Sequence, residues 1–128
     1  MYWYLEVLRN YAVFSGRSRR KEFWFFVLID TVIYTLLSIV DIVSDIIIYG
    51  EWSSETSIGF ASISYVLLTL IPRITLTVRR LHDIGKSGFW LFSLLIPPVG
   101  IIVLFIFSLL DSDLGDNKYG QNPKLSTT

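Results

Sequence analysis

The sequence predicts an all-α fold, a small polytopic membrane helical bundle in one domain spanning 1–128. Two observations carry this. Hydrophobic residues make up 52% of the chain, and the mean hydropathy is +0.56, above the usual soluble level. The apolar residues also fall into three long runs, Phe23–Tyr49, Ile58–Val78 and Phe89–Leu110. A bilayer core about 30 Å thick needs roughly 20 helical residues, which each run supplies. Three such helices in 128 residues leave too little polar surface to keep the chain in water. The charges balance, with 11 Lys and Arg against 11 Asp and Glu, so net charge selects no partner. Their bunching between the apolar runs is the informative part.

The first segment, "MYWYLEVLRNYAVF" (1–14), is too short and polar to cross. Trp3, Tyr4, Leu8 and Tyr11 fall near one helical face, which predicts a short helix in the membrane interface or one packed on the bundle ends. Lys and Arg then set the orientation. Arg9, Arg17, Arg19, Arg20 and Lys21 precede the first run, and Arg79, Arg80 and Lys86 follow the second. The loop between them, "GEWSSETS", carries Glu51 and Glu55 and no basic residue. The N-terminus and the second loop are therefore expected on the cytoplasmic side. The first run begins near Phe23, is too long for a signal h-region and has no small-residue cleavage site, so no cleaved signal is expected.

The third run contains Pro97, Pro98 and Gly100. Proline removes a helical donor and clashes with the preceding turn. The expected outcome is a single kinked crossing with the polar tail 111–128 outside. The alternative is a re-entrant hairpin that returns the tail to the cytoplasm. Its arms, Phe89–Ile96 and Val99–Leu110, are short for reaching far into a bilayer at about 1.5 Å per residue. The acidic stretch "DSDLGDN" at the start of the tail does not fit the calcium-loop order and reads as a solvated turn.

Between the second and third runs lies "TVRRLHDIGKSGFW" (77–90). His82, Asp83 and Ser87 invite comparison with a catalytic triad. Adjacent helical residues point about 100° apart, so Asp83 is badly placed to orient His82, and no GxSxG elbow is present. An enzyme is not expected. With one His and no Cys, no metal site or cofactor is expected either. The basic "GRSRRK" abuts an apolar run, and the positive-inside bias accounts for it; no nucleic-acid partner is expected. "IGKSG" reads as a helix stop and tight turn, with Gly85 and Gly88 free to take positive φ.

The segments "YAVFSGRSRRKEFWFF", "RRLHDIGKSGFW", "IPPVG" and "GDNKYGQNP" occur in this order. Over nearly the whole chain they resemble the bacterial inner-membrane family known as domain of unknown function 805, the YhaH/YhaI-like proteins. The family's recurring positions match Phe14, Gly16, Arg17, Arg20, Glu22, Trp24, Arg79, Arg80, Leu81, His82, Asp83, Gly85, Ser87, Gly88 and Trp90. The resemblance implies a small polytopic inner-membrane protein and no particular activity. Arg73, directly after Pro72, departs from it, since a small or apolar residue is expected there.

Two polar groupings remain. Arg17, Arg20, Glu22, Arg79, Arg80, His82 and Asp83 are expected at one membrane face as a latch. Arginines outnumber acids there, and the surplus suits anionic lipid headgroups. Within the apolar runs, Asp30, Tyr34, Ser38, Asp41 and Asp45 fall on or near one stripe, and Ser62, Tyr65, Thr69, Arg73, Thr77 and Arg80 on another. On antiparallel neighbours the stripes should face each other or a wet cavity. Counting up from Glu22 and Arg79 puts Asp30 and Arg73 at similar depth and predicts an ion pair. Two function classes follow. One is a non-enzymatic module that binds anionic lipids or a membrane-protein partner, in a homo-oligomer among the options. The other is a subunit of an oligomeric ion or small-solute channel or transporter.

Overall fold

The computed structural model describes residues 2–50 and 59–125. The expected outer loop, with Glu51 and Glu55, lies outside them, as do the last three residues of the tail. The described chain is the expected all-α membrane helical bundle, with no strand among its described residues beyond an isolated Asn117–Gly120 bridge. The elements are α1 (Tyr2–Arg9), α2 (Arg20–Tyr49), α3 (Phe60–Asp83), the 3₁₀ helix η1 (Gly88–Leu95) and α4 (Val99–Leu109).

Two helices, α2 and α3, are long and apolar enough to cross a membrane. At 30 residues, α2 extends about 45 Å, well beyond a hydrocarbon core. Leu28, Val32, Leu36 and Ile47 lie exposed along it, as lipid-facing positions would. It ends at Gly50, whose φ of 78° and N–H bond to the Ile46 carbonyl make a left-handed stop. In α3, Pro72 lies inside the helix and cannot donate to the Leu68 carbonyl. The Tyr11 hydroxyl donates to that carbonyl instead, at 2.7 Å. The break in the ladder is thus filled from the N-terminal segment.

The N-terminal helix packs on the bundle, the second of the two placements its sequence allowed. Tyr4 and Val7 are buried in a core cluster with Phe26 and Leu76. The Tyr4 ring stacks on Phe26 at 5.2 Å. Helix ends at Arg9 rather than near residue 14.

The third apolar run departs from expectation. It is not a kinked crossing. It is a hairpin whose arms, η1 and α4, meet at the Pro97–Pro98 turn. Neither proline can continue a helical ladder, and the arms then fold face to face. Gly100 makes this approach possible, because a Cβ there would lie 2.0 Å from the Ser93 carbonyl oxygen. Eight 3₁₀ residues rise about 16 Å, and eleven α residues rise about 16 Å. The arms match, and each covers about half of a 30 Å core. Both open ends lie beside the end of α3. Gly88 sits against Val78, where a Cβ would come within 3.0 Å of Cγ1, and the Arg80 guanidinium donates to the Leu110 carbonyl. The tail 111–125 therefore shares an end of the bundle with the N-terminal segment, against the expectation of opposite sides.

Candidate functional site: a buried Arg–Asp clasp and an intramembrane ion pair

The end of α3 turns sharply. The Gly85 and Lys86 N–H groups donate to His82 and Leu81 carbonyls at 3.1 and 2.8 Å, with Gly85 at φ 73°. A Cβ on Gly85 would also meet Asp113 Oδ2 at 2.5 Å. Gly88 is not in a positive-φ conformation; it serves by letting η1 approach Val78. This turn presents Asp83, fully buried at 0% exposure, to three separate parts of the chain.

Asp83 Oδ1 accepts from Arg17 Nε at 3.0 Å. Its Oδ2 accepts from Arg80 Nη1 at 2.7 Å and from the Ser112 hydroxyl at 2.5 Å. Its backbone carbonyl accepts from Arg17 Nη2 and from the Asp113 N–H. Arg17 engages all of its nitrogens: besides Asp83 it donates to the carbonyls of Asp113, Gly115 and Gly120. One carboxylate thus faces two buried guanidiniums. Carbonyl dipoles take up the surplus charge, which an uncompensated burial would make costly.

A second set of carbonyls lies at the end of α4, where the last turn has no helical partners. Arg80 donates to the Ser108 and Leu110 carbonyls, Arg20 to Leu109 at 3.2 Å, and Trp24 Nε1 to Ser108 at 3.2 Å. Cations at the negative end of α4 suit its dipole. These bonds hold the hairpin's second arm to α2 and α3. Trp24 also lies edge-on to Phe105.

The tail is folded in: Asp111, Leu114, Gly115 and Asp116 of "DSDLGDN" are exposed, as a solvated turn requires, while Ser112 is buried against the clasp. Asn117 donates to the His82 carbonyl at 2.9 Å, Asn122 to the Asp113 carbonyl at 3.1 Å, and the Tyr119 ring stacks on His82 at 3.9 Å. His82 Nδ1 lies 3.1 Å from the Gly16 carbonyl, while Ser87 caps the Phe89 N–H. His82, Asp83 and Ser87 therefore point to three different partners. Arg79 and Glu22 approach to 3.7 Å.

The expected latch residues come together, but Arg17 and Arg80 cannot serve lipid headgroups as well. Their side chains are 1% and 2% exposed and are consumed inside. Arg20 stays exposed on the same end. Sequence reasoning missed Ser112, Asn117, Tyr119 and Asn122. For the last three the signal was available in the tail segment "GDNKYGQNP", which is dense in turn-forming and hydrogen-bonding residues.

Deeper in the bundle, Arg73 Nη2 lies 2.8 Å from Asp30 Oδ2. The Tyr65 hydroxyl donates to Asp30 Oδ1 at 2.8 Å and pairs with the Tyr4 hydroxyl at 2.9 Å. Nearer the far end, Asp41 accepts from the Ala61 and Ser62 N–H groups at 3.0 and 2.9 Å, receiving the first turn of α3. The two polar stripes thus face each other. A groove of ≈ 530 Å³ opens beside the ion pair, between Phe23, Phe26, Tyr34 and Leu76.

The pair yields a direct expectation. Asp30→Asn and Arg73→Gln each destabilise the bundle in detergent, and the double variant recovers about 1–2 kcal/mol of the summed loss. Thermal unfolding of the four proteins measures the coupling. Strict additivity would mean that Asp30 and Arg73 are held independently.

These features define the class: a small all-α membrane protein whose apolar hairpin and polar tail are tied to one end of a two-helix core. The chain belongs to the family described as protein of unknown function (DUF805), whose profile matches residues 11–121. It is 35% identical over 127 residues to the inner membrane protein YhaI of Escherichia coli K12, covering 99% of each chain. It is 34% identical over 125 residues to the inner membrane protein YhaH of the same strain, covering 98% of each. No solved structure matches the chain.

Proposed function

We propose that this chain is a non-enzymatic inner-membrane protein that crosses twice, with both termini in the cytoplasm, and presents a basic surface to anionic phospholipid headgroups. The observation that carries the reading is the division of labour among the arginines. Arg17 and Arg80 are spent on Asp83, which folds the hairpin and tail back to the end that carries the exposed Arg9, Arg20, Lys21 and Lys86. Inner-membrane placement follows the named relatives. Orientation follows the positive-inside bias. With the tail on this side, Lys118 and Lys124 join that bias instead of opposing it. Each charge near an anionic surface is worth about 1 kcal/mol.

Native mass spectrometry from mixed micelles tests the reading. The full chain is expected to retain phosphatidylglycerol in preference to phosphatidylcholine. Equal retention of the two lipids would overturn it.

A further inference from the structure

We infer that the basic end of α2 and the returned tail form a discrete two-part site for one anionic phospholipid, with a headgroup pocket and an acyl groove. The inference rests on the lipid-facing reading above and assigns it to one location. The headgroup part is a pocket of ≈ 280 Å³ lined by Arg19, Arg20, Lys21, Lys124 and Asp111. That volume lies near the lower end of ligand pockets, large enough for a headgroup and too small for a whole lipid. Among the described residues, four cations line the pocket with one carboxylate, a positive surplus. The Lys124 ammonium is hydrogen-bonded to Asp111 and holds its carboxyl below the usual carboxylate range. Lys124 is thereby offset, and the charge of Arg20 and Lys21 suits a phosphodiester.

The acyl part begins where the pocket ends. A second groove of ≈ 280 Å³ is lined by Arg20, Lys21, Trp24, Phe25 and Leu28. It shares Arg20 and Lys21 with the pocket and continues along one face of α2, since residues four apart stack on a helix. From Arg20 to Leu28 the groove runs about 12 Å, most of one leaflet's half of a 30 Å core. Cations at the end and apolar side chains below match the two halves of a phospholipid in both chemistry and order. A soluble phosphate would use only the first half.

The tail supplies an essential part. Lys124 is placed by its own N–H bond to the Asn122 side chain at 3.0 Å, and Asn122 is anchored to the Asp113 carbonyl. Arg19 Nε donates to the Pro123 carbonyl at 2.8 Å. The pocket therefore exists only when the tail is folded back.

The experiment compares charge-matched variants of the full chain in detergent, titrated with short-chain phosphatidylglycerol. Replacing Arg20, Lys21 and Lys124 with Gln is expected to lower affinity about thirty-fold. Replacing Arg9, Lys86 and Lys118 with Gln, cations of the wider basic surface outside the pocket, is expected to cost markedly less, about three-fold. Because Arg20 also holds the Leu109 carbonyl, the Lys21→Gln, Lys124→Gln double variant is measured too, with an unchanged thermal midpoint and a weaker loss in the same direction expected. Equal losses from the two triple variants would overturn the discrete site while leaving a diffuse basic surface. No preference for phosphatidylglycerol over phosphatidylcholine in the unaltered chain would overturn the underlying reading as well. Glycerol phosphate binding as tightly as the lipid would remove the acyl groove and leave a phosphate pocket.

Discussion

Asp83→Asn is expected to cost the folded bundle about 3–5 kcal/mol, the usual penalty for removing one partner of a buried ion pair. The substitution keeps the shape and removes the charge, leaving Arg17 and Arg80 buried against an amide that offers one acceptor oxygen. Arg17→Gln should be nearly as damaging, because four carbonyls and a carboxylate oxygen depend on that guanidinium. Arg17→Lys restores the charge with only three donors and no planar fork, so it should rescue little. Lys86→Gln, at an exposed position, serves as the control and should fall within about 0.5 kcal/mol of the unaltered chain. Thermal unfolding in detergent gives the ranking. Limited proteolysis adds a local readout, since the tail should become cleavable in Asp83→Asn before the helices unfold. An Asp83→Asn protein as stable as the original, with a protected tail, would mean that the clasp does not hold the fold.

The parts of this architecture legible in the sequence were those set by single-segment rules. Run length and apolarity marked α2 and α3. Helical spacing marked the two stripes, and their register placed Asp30 beside Arg73 before any coordinates. The third run was harder because its outcome depends on partners elsewhere. The argument from short arms was sound about reach: each arm does cover only about 16 Å. It failed because a hairpin need not reach the far side when its ends are held. What holds them is the set of α4 terminal carbonyls meeting Arg80, Arg20 and Trp24, contacts separated by many tens of residues. Gly100 carried a local hint, since a glycine two residues after a double proline permits close approach of the arms. The site was half visible for the same reason. Arg17 and Arg80 were recognised as a latch but not as buried, because their acceptors are backbone carbonyls of the tail and of α4, which leave no trace in residue identity. Arg73 found its partner in Asp30.

Placing the tail on the cytoplasmic side is the claim on which the rest depends, because the clasp, the hairpin and the basic pocket all require it. The chain has no cysteine, so single-cysteine labelling is clean. Leu114→Cys puts a thiol in the tail at a position 97% exposed, and Tyr49→Cys puts one at the opposite end of α2, at a position 73% exposed. Spheroplasts are treated with a membrane-impermeant maleimide before and after permeabilisation. The account predicts that Tyr49→Cys labels in intact spheroplasts and that Leu114→Cys labels only once the membrane is opened. Labelling of both thiols in intact spheroplasts would put the tail on the same side as the far end of α2 and contradict the re-entrant hairpin.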